Sequence, residues 1–158
     1  MMHPILLVED DENDVLFLRA ACTKCGLRDP LITVGDGQQA IDYLSGTGSF
    51  ADRAAHPLPC LVLLDLNLPI KNGFEVLQWL RGNPDLNTLL IIVLTSSSAE
   101  SDAHQAYTLG ANSYVMKPSN PDHLQDLVDL IKRYWMGWNF APPGCGTPKR
   151  TIGPQAGL

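Results

Sequence analysis

Short apolar runs alternate along this chain with longer stretches whose apolar residues recur at helical spacing. Ile5–Val8 ends in acid at Glu9–Asp10, which predicts a strand with its carboxyl end at those residues. From Asn13 to Cys25 the residues Val15, Leu18 and Cys22 share a helical face, and Gly26 follows as a stop. Leu31–Val34 predicts a second strand, and Asp36 is suited to cap a helix carrying Ala40, Ile41 and Leu44. Leu61–Leu64, Leu89–Leu94 and Ser113–Met116 predict three more strands. Phe74, Leu77 and Leu80 line the helix after the third, and Ala99–Leu109 forms the helix after the fourth. Asn120 and Pro121 open a last helix, with an apolar stripe of Leu124, Leu127, Val128, Ile131, Tyr134, Trp135 and Trp138.

Five short apolar strands alternating with five helices predict an α/β fold, a parallel sheet covered on both faces. Two stretches break the rhythm. Residues 45–59 carry Gly46, Gly48, Pro57 and Pro59 and read as a loop excursion. Residues 139–158 contain four Pro and four Gly and little that could pack, so they read as an extended or disordered tail. The expected organisation is one domain over residues 3–138, followed by that tail.

Composition narrows the function classes. Apolar residues make up 45% and charged residues 18% of 158, as expected of a globular chain. A formal charge of −6 and the lack of a Lys/Arg cluster argue against nucleic acid as a partner. No run approaches the ~18 apolar residues of a membrane span, and the N-terminus lacks a signal peptide's pattern, so a cytoplasmic location is expected. Cys22 and Cys25 form a C-x-x-C inside a helical pattern rather than at a helix start, which disfavours redox chemistry. His3, His56, His104 and His123 lack the spacing of a zinc site.

The candidate chemistry lies at the carboxyl ends of the strands, where open parallel sheets bind ligands. Glu9, Asp10 and Asp11 end the first strand, Asp65 the third and Thr95 the fourth, and the fifth leads to Lys117. Carboxylates crowded at one place repel one another unless a cation joins them. An all-oxygen ligand set suits Mg²⁺. A Lys and a hydroxyl at the same edge suit a transferred phosphoryl group, and an Asp carboxylate can serve as its nucleophile.

Four segments carry a resemblance. Leu6-Leu7-Val8-Glu9-Asp10-Asp11-Glu12, Leu64-Asp65-Leu66-Asn67-Leu68-Pro69 with Gly73, Leu94-Thr95-Ser96, and Met116-Lys117-Pro118 resemble the signatures of response-regulator receiver domains over residues 3–135. The resemblance implies a flavodoxin-like, doubly wound five-stranded parallel sheet in the order 2-1-3-4-5. It implies Asp65 as phospho-acceptor, with Thr95 and Lys117 contacting the phosphoryl group and Thr95 and Tyr114 as switch residues. It implies Mg²⁺ held by Glu9, Asp10, Asp65 and the backbone carbonyl of Asn67, and a Lys117–Pro118 bond that is often cis. Such a protein is no enzyme beyond assisting its own phosphorylation and dephosphorylation. It takes its phosphoryl group from a sensor histidine kinase or a histidine phosphotransfer protein, and it signals by protein contact or phosphorelay.

Departures from the family pattern are also visible. Glu9 stands where Asp is commoner, and Asp10 and Asp65 are 55 positions apart because of the excursion. An excursion of this kind and a Trp-containing final helix are similar to single-domain regulators paired with phytochrome-type kinases. Tyr134, Trp135 and Trp138 could finish the core or form a homodimer contact. Two other readings stay open. An unphosphorylated scaffold would keep the fold alone. A haloacid-dehalogenase-like phosphohydrolase would want a second Asp where Asn67 stands.

Overall fold

The computed structural model describes residues 3–142. Five strands alternate with five helices: β1 (Ile5–Val8), α1 (Glu12–Lys24), β2 (Leu31–Val34), α2 (Gly37–Ser45), β3 (Leu61–Leu64), α3 (Gly73–Gly82), β4 (Ile91–Thr95), α4 (Glu100–Thr108), β5 (Ser113–Met116) and α5 (Pro121–Arg133). All strand pairs are parallel, in the order β2-β1-β3-β4-β5. The reversal of winding falls between β1 and β3, which opens a crevice at their carboxyl ends.

Alternation along each strand divides the core into two layers. Leu6, Val8, Val62, Leu64, Ile91 and Val93 face α2, α3 and α4, where Leu44, Leu77, Leu80 and Ala106 meet them. Ile5, Leu7, Leu61, Leu63, Ile92 and Leu94 face α1 and α5 and meet Leu18, Cys22, Val128 and Ile131. Every residue of β1, β3 and β4 is buried, as their unbroken apolar runs require.

The fourth strand starts two residues later than the apolar run suggests. Leu89 is buried but ends a tight turn, its N–H donating to the Leu86 carbonyl, so pairing begins at Ile91. The helix starts follow the expected chemistry. Asp11, Asp36, Asn72 and Asn120 accept first-turn N–H groups of α1, α2, α3 and α5.

The excursion over residues 45–59 is a packed unit rather than a slack loop. Tyr43 is fully buried; its ring meets those of Phe50 and His56, and its hydroxyl donates to the Pro57 carbonyl at 2.8 Å. Arg53 caps the end of α2, donating to the carbonyls of Tyr43, Leu44 and His56 at 2.7, 2.5 and 3.1 Å. At the pole of the sheet away from the strand carboxyl ends, Arg81 donates to the carbonyls of Gly110, Asn87 and Leu89 and to the Asn112 side chain. One guanidinium thereby joins α3 to the turns that lead into β4 and β5.

After Arg133 the last helix widens into a single π turn, Tyr134–Trp138, closed by Asn139 N–H on the Tyr134 carbonyl at 2.7 Å. The wider turn splits the aromatic stripe. Trp135 packs with the α1–α5 layer, whereas Tyr134 and Trp138 are exposed, as is Phe140 beyond them. The expected tail beyond residue 142, with Cys145, lies outside the described residues.

Candidate functional site

Hydrogen-bond ladders carry β1, β3 and β5 one residue past the strands and set the site residues in register. Glu9 N–H bonds to the Val34 carbonyl, Asp65 N–H to that of Val8, and Lys117 N–H to that of Thr95. Glu9, Asp65 and Lys117 therefore converge on one edge of the sheet. Glu9, Asp65 and Thr95 are buried there, while Asp10 and Asn67 are exposed.

The Lys117 ammonium is the centre of the arrangement. It bonds to Glu9 Oε2, to Asp65 Oδ2 at 3.0 Å and to Asp14 Oδ2 at 2.9 Å. The second oxygen of Glu9 accepts from Asp11 N–H at 3.1 Å, and the second oxygen of Asp65 from Leu66 N–H at 2.7 Å. Burial pushes the Glu9 carboxyl up to about 7, against the pull of its bonds to Lys117 and Asp11. Burial pulls the Lys117 ammonium down, but its bonds to Glu9, Asp14 and Asp65 more than reverse this and raise it well above the usual lysine range.

Glu9, Asp10 and Asp65 each offer a carboxylate oxygen within 4.8 Å of the others. Two of these three carboxylates, Glu9 and Asp65, are buried and share one ammonium, that of Lys117. The donor set is all oxygen, the kind a hard divalent cation takes. The residues present thus fit such an ion.

The turn after β3 is held close to the site. Gly73 N–H bonds to the Leu66 carbonyl at 2.9 Å, and a Cβ on Gly73 would lie 2.2 Å from the Asp65 carbonyl oxygen. Only glycine lets α3 start so near Asp65. Within this turn Ile70 is exposed and adopts φ 66°.

On the other flank, Thr95 Oγ1 accepts from Ser97 N–H at 3.3 Å, and the Tyr114 hydroxyl donates to the Ser97 carbonyl at 3.0 Å. Ser97 Oγ donates to Asp102 on α4 at 2.5 Å, and Tyr114 N–H donates to the Tyr107 hydroxyl oxygen at 3.1 Å. The structure thus brings Glu9, Asp10, Asp65 and Lys117 together, with Thr95 and Tyr114 joined through Ser97. Among the described residues there is no cis peptide bond, so Lys117–Pro118 is trans, contrary to expectation. Lys117 is aimed inward instead by its ladder bond to Thr95 and by the carboxylates it meets.

Sequence reasoning missed Asp14, Ser97, Asp102 and Tyr107. Asp14 stands in the first turn of α1 beside the acidic segment, but its partner is 103 positions away. In the C-x-x-C, Cys22 is buried and its thiol pushed up to about 11 by burial, while Cys25 donates to the Gln125 carbonyl. No helix among the described residues is long and apolar enough to cross a membrane.

The response regulator receiver domain family matches residues 5–129 of the chain. A probable methanogenesis regulatory protein, FilR2 of Methanothrix harundinacea, is 36% identical over 138 residues, covering 87% of this chain and 86% of the relative. Response regulator Rcp1 of Synechocystis sp. is 37% identical over 132 residues, covering 84% and 88%. Its Mn²⁺-bound crystal structure superposes with a TM-score of 0.79, over 89% of this chain and 99% of that one. The phosphorylated cyanobacterial phytochrome response regulator RcpA gives a TM-score of 0.83 at 34% identity, over 90% and 99%.

Proposed function

Because the chain belongs to the response regulator receiver domain family, whose members are signalling proteins that bind a divalent metal at an acidic pocket and are phosphorylated by histidine kinases, we propose that Asp65 is its phospho-acceptor. The observation that carries this reading is the Asp65 carboxylate itself, buried at a sheet edge between the Leu66 N–H and the Lys117 ammonium. In the proposed reaction an Asp65 oxygen attacks phosphorus as the bond to the donor's imidazole nitrogen breaks. The leaving imidazole keeps the bonding pair and is protonated by solvent. Lys117 meets charge on the phosphoryl oxygens, and the Thr95 hydroxyl turns from Ser97 N–H towards the new group.

Glu9, Asp10, Asp65 and the Asn67 carbonyl would hold Mg²⁺, which supplies charge neutralisation at the transferring phosphoryl group. Thr95 and Tyr114 form the switch. Phosphorylation adds about −1.5 to −2 of charge at pH 7, and movement of Thr95 alters the Ser97 contact that Tyr114 shares. The surface of α4, β5 and α5 then carries the signal to a protein partner or onward through phosphorelay. Likeness to the phytochrome response regulator RcpA supports a phytochrome-type sensor kinase as donor. The exposed Tyr134 and Trp138 support a homodimer contact through the end of α5, with Trp135 buttressing it from within.

The test is intact mass after incubation with acetyl phosphate and Mg²⁺. Wild type gains one phosphoryl group, Asp65→Asn gains none, and a chelator abolishes the gain. A wild-type protein that takes no phosphoryl group overturns this reading in favour of an unphosphorylated scaffold.

A further inference from the structure

We propose that Asp102 caps the first turn of α4 through the Ser97 hydroxyl, so that this turn holds or opens according to where Ser97 stands. Four of the five helices begin on a residue whose side chain accepts a first-turn N–H, whereas α4 begins on Ala99, which has no such group to offer. A relay from outside the helix stands in for the cap. Ala99 N–H donates to Ser97 Oγ at 3.3 Å, and the Ser97 hydroxyl donates to Asp102 Oδ2 at 2.5 Å. Asp102 is the third residue of α4, the position from which Glu75 of α3 accepts its N-cap N–H directly. Asp is a methylene shorter than Glu, and the Ser97 hydroxyl spans the difference.

Packing adds little at this end of α4. The helix buries one residue, Ala106. Its far end is tied down, with the Gly110 carbonyl on Arg81, Ala111 N–H on the Ala106 carbonyl and the Tyr107 hydroxyl under Tyr114 N–H. The relay residue is itself held from two sides, its N–H on Thr95 Oγ1 at 3.3 Å and its carbonyl on the Tyr114 hydroxyl at 3.0 Å. A displacement of Ser97 by either residue bears on the relay, whose weaker member is the long bond from Ala99. A helix that loses its N-cap bond frays from that end. The link to phosphorylation rests on the reading of Asp65 as acceptor and of Thr95 and Tyr114 as the residues that respond to it. On that reading, loading Asp65 loosens the first turn of α4, and a partner that touches α4 meets a different surface.

The test is residue-resolved amide exchange on the full chain. The amides of Asp102 and Ala103 bond to the Ala99 carbonyl and report the first turn, and those of Leu109, Gly110 and Ala111 report the far end. Ser97→Ala and Asp102→Ala each speed exchange at residues 102 and 103 about five-fold, the scale of one lost helix cap. The double variant is no faster than either, because both break one relay, and residues 109–111 keep their rates. Ala99 already has the extended backbone of an N-cap, so Ala99→Ser gives α4 a cap of its own, and in that background Ser97→Ala has no effect. Once acetyl phosphate and Mg²⁺ have loaded one phosphoryl group, the first turn of wild type exchanges faster by a similar factor, and that of Ala99→Ser does not. Additive effects of the two single variants, no acceleration, or acceleration shared with residues 109–111 overturns the relay. A loaded wild type with an unchanged first turn overturns the link to phosphorylation while leaving Asp65 as acceptor. Failure of wild type to take a phosphoryl group overturns the acceptor reading and that link together, but not the relay, which the unloaded variants measure.

Discussion

The hydroxyl of Tyr114 donates to the backbone carbonyl of Ser97 at 3.0 Å, tying the edge strand to the loop that follows Thr95. Ser97 also donates to Asp102 of α4 and offers its N–H to Thr95. One residue of the loop thus touches the hydroxyl of Thr95, the side chain of Tyr114 on β5 and the helix α4.

Tyr114→Phe keeps the ring and removes that bond. The expected cost is about 1 kcal/mol of stability, read from urea unfolding. Faster amide exchange at residues 96–99 should accompany it, with β1 and β3 unaffected.

Ile70 is expected to be improvable. A β-branched residue at φ 66° is strained by about 1–2 kcal/mol, and its exposed side chain contributes little burial in return. Ile70→Gly should raise stability by about 1 kcal/mol. Calorimetry would register this as a rise of about 2–4 °C in Tm.

Arg53→Ala removes three bonds that close the end of α2 and hold the excursion in place. The expected loss is about 2 kcal/mol, with new protease sensitivity inside residues 45–59. Arg53→Lys should recover only part of it, since an ammonium cannot fork across neighbouring carbonyls as a guanidinium does.

The pH dependence in alkaline solution follows from Cys22. Burial raises its thiol from an ordinary value of 9.0 to about 11, so the fold favours the neutral form. That contribution is whole below about 9 and is lost as the pH climbs through about 11. Urea midpoints measured from pH 8 to 11 should fall more steeply for wild type than for Cys22→Ala. Burial also raises the buried Tyr43, but it titrates alike in both proteins and cancels in the comparison.

Much of the fold was legible because the strands are short, mostly apolar and bounded by turn or acidic residues, as in Ile5–Val8 before Glu9 and Leu61–Leu64 before Asp65. The meeting of Glu9, Asp10, Asp65 and Lys117 at one sheet edge was legible because each lies at the end of such a strand. Asp14 was not, because its bond to Lys117 crosses from the first helix to the last strand and leaves no local pattern. The excursion looked slack because its Gly and Pro content is that of a loop, whereas its order comes from Arg53 and three rings whose packing no spacing rule encodes. The start of β4 was misjudged because Leu89 and Leu90 are as buried as strand residues while serving a turn.

The guanidinium of Arg81 binds carbonyls on both sides of β4 and a side chain ahead of β5, all at the pole remote from Asp65. The molecule is therefore anchored at one end and adjustable at the other. A charge added at the other end would meet a sheet tied at its foot by these bonds, which favours a response in the loops and helix starts around Asp65. Under the proposed phosphorylation of Asp65, the signal would reach the outer surface there as a change of shape over a few residues, with the rest of the domain as its mount.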